Sequence, residues 1–184
     1  YGLNILVYDE EPAVRIEVAR QGYRLDILIN DDDPRVRLEV AYQGYGLDRL
    51  IHDSSAWVRE AVARQGYGLD ILVHDDVFTV RAAVASQGYA LDVLVHSENK
   101  YIRRAVAQQG YGLNLLVRDE DEGVRAVVAE QGYGLDILVG DAFSDVKNAV
   151  LEHNYGLEKL AEDENYIIAA DAQARINLKK VMAG

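Results

Sequence analysis

The 184-residue chain contains no cysteine, two prolines, one tryptophan and one methionine. A chain without cysteine has no disulfide, no thiolate metal ligand, no iron–sulfur cluster and no cysteine nucleophile. That composition fits a reducing compartment, and a cytoplasmic location is the expectation. There is no uninterrupted apolar run of eighteen residues, so no membrane-spanning helix is expected. No charged-then-apolar leader is visible, and the chain opens at Tyr1 rather than at a methionine, which suggests a processed or trimmed piece. Positive charge is also scarce: 19 Lys and Arg stand against 31 Asp and Glu, a net charge of −12. Nucleic-acid affinity comes mainly from cations neutralising phosphates, so this balance argues against a nucleic-acid or anionic membrane partner. A protein partner with a neutral or basic surface is expected instead. Hydrophobic residues make up 49% of the chain, enough to bury a core and exclude wholesale disorder.

What the sequence has in abundance is repetition. Units begin at Tyr1, Tyr23, Tyr45, Tyr67, Tyr89, Tyr111, Tyr133 and Tyr155, one every 22 residues. A period of that size marks a stacked repeat array rather than one packed globule. Positions are numbered below from the tyrosine of each unit. Val14, Val18 and Ala19, with Val36, Val40, Ala41 and their equivalents, form an apolar stripe at helical spacing. Pro12 and Pro34 suit a first helical position. Glu11, Asp33, Ser55, Asn99 and Asp121 stand where an N-cap is needed, and Val77 and Phe143 break that rule. Gly22, Gly44, Gly66, Gly88, Gly110 and Gly132 read as left-handed C-caps, with Asn154 replacing glycine once. The tyrosine that follows packs back on Val18 and its equivalents as a staple. Positions three to eight, such as LNILVY, read as a shorter α or 3-10 segment, with Leu3, Leu6 and Val7 on one face. A strand is the weaker alternative, because an Asp at position four interrupts the alternation.

Several columns could pass for chemistry. Asp9, Asp31, Asp53, Asp75, Ser97, Asp119 and Asp141 are each followed six residues later by Arg15, Arg37, Arg59, Arg81, Arg103, Arg125 and Lys147. A catalytic centre needs one special constellation, whereas this pair is present in nearly every unit. A structural ladder of Arg–carboxylate pairs, within or between neighbouring units, is expected. Ser97 interrupts it, which predicts a neutral partner for Arg103. The glutamine column Gln21 to Gln131 is expected to hydrogen-bond backbone at the turn. His52, His74 and His96 occupy position eight of consecutive units, roughly 8–10 Å apart at their backbones. That is too far for convergence on one ion, so exposed histidines and no metal are expected. There is no phosphate-binding glycine loop and no nucleophile–base pair outside the repeat, so no enzyme and no cofactor are expected.

Positions twelve, sixteen and twenty, flanked by thirteen, vary between units and should form one exposed helical stripe. They carry Leu38, Tyr42, Trp57, Phe78 and Tyr101, a candidate partner-binding surface of aromatic character. The segment from Glu164 reads as one longer, polar-faced capping helix. No such cap precedes Tyr1, so Leu3, Leu6 and Val7 are expected to face water and to allow self-association through that end.

The string D-x-x-x-x-V-R-x-x-V-A, as in Asp31 to Ala41, resembles the HEAT repeat and, more closely, the leucine-rich repeat variant family. The likeness spans Tyr1 to about Asp171. Gln-Gly follows Val-Ala-x here, where the variant family commonly has Asn-Pro after Val-Ala, and the period is slightly shorter. The resemblance implies an all-α fold: a right-handed α-solenoid of eight 22-residue units, each a longer helix plus a short one. Residues 1–154 would supply seven regular repeats, and 155–184 a degenerate eighth with its capping helix. It also implies a binding scaffold, since members of these families mostly serve as such.

Overall fold

The computed structural model describes residues 2–183, so the staple expected at Tyr1 lies outside it. Among these residues the chain is all-helical, with no strand. It divides into two compact units, Tyr1–Ala90 and Leu91–Gly184. The first holds α1 (Leu3–Leu6), α2 (Pro12–Arg20), α3 (Leu25–Leu28), α4 (Pro34–Tyr42), α5 (Leu47–Leu50), α6 (Ala56–Arg64), α7 (Leu69–Leu72) and α8 (Phe78–Ser86). The second holds α9 (Leu91–Leu94), α10 (Lys100–Gln108), α11 (Leu113–Leu116), α12 (Glu122–Glu130), α13 (Leu135–Leu138), α14 (Ser144–Glu152), α15 (Leu157–Leu160) and α16 (Tyr166–Ala183). In the first unit α2, α4, α6 and α8 pack successively on one another. In the second, α10, α12 and α14 do the same, and α16 packs on α14 and α15. Each unit is thus a solenoid stack of helical repeats.

The longer helices end as their sequence predicts. Gly22 N–H donates to the Ala19 carbonyl and Tyr23 N–H to that of Val18, with Gly22 at φ +69°. This pair of bonds is the Schellman arrangement, and it satisfies two carbonyls the helix would otherwise leave open. Asn154 adopts the same left-handed conformation at φ +52°. The helix starts are mixed. Asp33, Asn99 and Asp121 accept from the first-turn N–H groups of Arg35, Tyr101 and Gly123. Glu11 and Ser55 hold the N-cap position without a side-chain bond; a glutamate side chain is too long to be a preferred cap.

Between the longer helices the chain makes one α-turn over positions three to six and then bends at seven and eight. Leu28, Leu50 and Leu72 at position six are buried beneath the turn, as are Ile29 and Ile51 at position seven. Val7 is also buried, while Leu3 and Leu6 are half-buried. The expectation that all three face water fails for Val7, which occupies the same inward position as Ile29.

The sequence also contains a signal not anticipated above. Position two is a second left-handed seat, occupied by Gly46, Gly68, Gly112, Gly134 and Gly156, and by Arg24 at φ +50° and Ala90 at φ +52°. At Gly68 an added Cβ would lie 2.0 Å from Ile51 Cδ1, so a larger residue in this left-handed seat would also require the end of the Ile51 side chain to move.

Candidate functional site

The Asp–Arg column is a ladder, and its rungs run forward. Nε of Arg15, Arg37, Arg59, Arg103 and Arg125 donates to Asp31, Asp53, Asp75, Asp119 and Asp141 of the following repeat at 2.6–2.7 Å. Nη2 of each arginine donates to the other oxygen of the same carboxylate at 2.8–3.1 Å, completing a two-pronged fork. Nη1 turns back to the carbonyl of position nine in its own repeat, as in Arg37 to Asp31 at 2.6 Å. Arg81 makes this backward bond to the Asp75 carbonyl. Lys147 reaches Asp163 at 2.6 Å as the last rung.

Each carboxylate has a second duty. Oδ1 of Asp53 accepts from the N–H of Ser55 at 2.8 Å, and Asp31, Asp75, Asp119, Asp141 and Asp163 make the equivalent bond. The aspartate therefore shapes the turn before its own helix while it anchors the preceding repeat. Burial alone would raise the pKa of Asp53. The hydrogen bonds from Arg37 and Ser55, with the arginine charge, outweigh it and leave the group below its ordinary value. Asp75 and Asp141 behave alike, held down by Arg59 and Arg125. The arginines shift upward in return, chiefly through the same bonds.

This direction corrects the expectation for Arg103. Its partner is Asp119, not a neutral group, because the pairing runs sixteen residues forward. Ser97 instead supplies the turn bond to Asn99 N–H and a carbonyl for Arg103.

His52, His74 and His96 are all exposed, and no cluster of potential metal ligands occurs among the described residues. In the first unit, shallow grooves lie between consecutive turns. One of them, about 500 Å³, is lined by Asn30, Asp32, Arg49 and His52 together with the rung residues Arg37 and Asp53. No helix among the described residues is long and apolar enough to cross a membrane.

The variable face is arranged differently from the expected stripe. Position twenty is exposed in all seven longer repeat helices and position thirteen in most, whereas position sixteen is largely half-buried between them. Leu38 accordingly is half-buried. Tyr42 is 49% and Trp57 64% exposed, both in the first unit, and Phe78 is 37%. Tyr101 belongs to the second unit and is 52% exposed, with Lys100 Nζ 5.6 Å from its ring centre.

Two apolar features went unread in the sequence. Position five points outward from the short helices, exposing Ile5, Ile71, Val93, Leu115 and Ile137. The terminal helix α16 is not polar-faced, since Ile167, Leu178, Val181 and Met182 are exposed on it. Neither a protein-family model nor a curated protein matches the chain.

Proposed function

We propose that the chain is a non-enzymatic scaffold for protein–protein interaction, presenting its variable helix face to a partner. The observation that carries this reading is how position relates to exposure. From Val18 onward the shared valines and alanines of the longer helices are buried, and the shared Asp–Arg pairs are engaged in hydrogen bonds within the stack. At positions that change from unit to unit, Trp57 at 64%, Tyr101 at 52% and Tyr42 at 49% stand further into water than the repeated tyrosines from Tyr45 to Tyr155, at 41–42%. Exposed Trp and Tyr are favoured contact residues, because burying them removes a large apolar area with little ordering cost. The rung carboxylates accept from arginine forks and turn N–H groups, a use that suits architecture better than acid–base chemistry. An acidic surround favours a partner with a neutral or basic surface and disfavours nucleic acid. The 22-residue period and the V-R-x-x-V-A strings support a place among leucine-rich repeat variant or HEAT-like proteins. A cytoplasmic setting belongs to the same proposal.

The test combines Tyr42→Ala with Trp57→Ala in the first unit, and separately changes Tyr101→Ala in the second. Each variant is followed by thermal melting and by capture of partners from native lysate, repeated with the purified partner. Melting should hold within about 1 kcal/mol, while binding weakens by about 2 kcal/mol or more at a true hot spot. Lost stability with retained capture would assign the rings to packing and overturn the reading.

A second reading is self-association through the first repeat. It is favoured by a hollow of about 290 Å³ lined by Gly2, Leu3, Asn4, Leu6 and Tyr23. Leu6→Glu would abolish assembly through that end.

A further inference from the structure

We propose that the second compact unit carries a self-assembly interface, in which α16 of one copy lies along the position-five column of another. The receiving surface is built by α9, α11 and α13. Val93, Leu115 and Ile137 stand at position five of three consecutive repeats and are 64%, 53% and 40% exposed. The leucine that follows each of them, Leu94, Leu116 and Leu138, is buried, so the turn has already used its inner side. A single exposed aliphatic residue needs no explanation. Three in register, one per repeat, make an extended apolar strip of the kind that marks a contact.

The inserting element is α16, which has 18 residues where the other longer helices have nine. It buries only Ile168 and Ala172 against its own unit. Ile167, Ala174, Leu178 and Val181 follow one another at spacings of seven, four and three, which places them on one different face together with Asp171, whose carboxylate is paired with Arg175. All four are exposed. Seven residues of helix rise about 10.5 Å, close to the roughly 8–10 Å between packed helices. Ile167, Ala174 and Val181 therefore recur at nearly the interval of the column they would meet.

Charge selects the occupant. A chain at −12 repels its own copies over most of its surface. Helix α16 departs from that balance, holding Arg175, Lys179 and Lys180 against Asp171, with Arg175 paired to Asp171 and Glu152. Around the column, exposed Asp92, Glu98, Glu120, Asp136 and Glu158 outnumber the cations Arg118 and Lys159, the latter at position five of the next repeat. A cationic helix with an aliphatic stripe thus faces an aliphatic column set among carboxylates. Because α16 rests on α14 and α15 of its own unit, the column is filled by another copy. The two contacting surfaces differ, so the contact is head-to-tail and adds copies without having to close.

Sedimentation velocity over a concentration series tests this. The wild-type chain should gain mass as concentration rises. Leu115→Glu removes the receiving surface, and Leu178→Glu with Val181→Glu removes the inserting one. Each variant should be monomeric alone with unchanged melting, and a mixture of the two should form dimers and nothing larger, since each keeps one intact surface. Lys180→Glu, on an exposed position with no bond to the rest of its own unit, should weaken association by about tenfold without touching the fold. A monomeric wild-type chain at the highest soluble concentration would overturn the proposal. So would Leu115→Glu associating like wild type, which would mean that α16 pairs with α16. Assembly persisting in both variants would place the contact at the first repeat instead.

Discussion

Two columns run through the repeats at one residue per unit, and their burial is the reverse of their polarity. The carboxylate at position nine is hidden, with only 6% of the Asp53 side chain exposed. The aliphatic residue at position five is open, with Val93 at 64%. Local supply of partners explains the first: two guanidinium prongs and a backbone N–H replace the water that the carboxylate gives up. Geometry explains the second, because a single helical turn has one inner side, and positions six and seven fill it. Polarity alone would have predicted both columns wrongly.

The largest effect should come from breaking the hidden column. Asp53→Ala leaves the Arg37 guanidinium without its anion and the Ser55 N–H without its acceptor. The expected loss is about 3 kcal/mol, or on the order of 10 °C in Tm for a chain of this size, measured by calorimetry. A loss no greater than that of an exposed substitution would remove the distinction between the columns.

Acid should erode the same column more gradually. Asp53, Asp75 and Asp141 have folded pKa values below the ordinary carboxylate value, which is about 3.9 for an unfolded aspartate. A depressed folded pKa contributes stability that is present above the unfolded value and is lost as pH falls through the folded one. Melting at constant ionic strength should therefore be flat near neutrality and fall below about pH 4. Asp53→Asn should start less stable and show a shallower fall.

The smallest effect sharpens the other side. Val93→Thr, which keeps shape and adds a hydroxyl, should change stability by less than about 0.5 kcal/mol because water reaches the site. Val106→Thr makes the same change at a fully buried position and should cost about 1–3 kcal/mol. Urea titration of both variants gives the contrast directly.

Much of this fold was legible because repetition reinforces each signal. Gly22 and its equivalents, followed by tyrosine, announced the helix ends, and the valine stripe announced the core. The direction of the ladder was not legible, for an arithmetical reason. Asp9 precedes Arg15 by six residues and Asp31 follows it by sixteen, and the two separations complete one period of 22. In a periodic sequence either pairing looks the same, and the choice shows only where the pattern breaks. Reading Ser97 as the partner of Arg103 was the error that this ambiguity produced. The left-handed seat at position two had its signal in Gly46, Gly68 and Gly112, hidden by Arg24 and Ala90, which tolerate the same conformation. Position five lies off the face shared by Leu3, Leu6 and Val7, so its outward direction was implicit in that face.

The forward rung has a consequence for how such a chain can change in length. Removing residues 45–66 would join Gly44 to Tyr67 and place Asp75 sixteen positions beyond Arg37, where Asp53 had been. The fork, the turn bond and the glycine cap would all be restored from parts already present. Loss of one residue more or less would misplace the rung that crosses the junction, while the later rungs, shifted together, would keep their separation of sixteen. Whole-period gains and losses are thus the inexpensive steps open to this molecule, and its number of repeats is free to drift in units that its hydrogen bonds define.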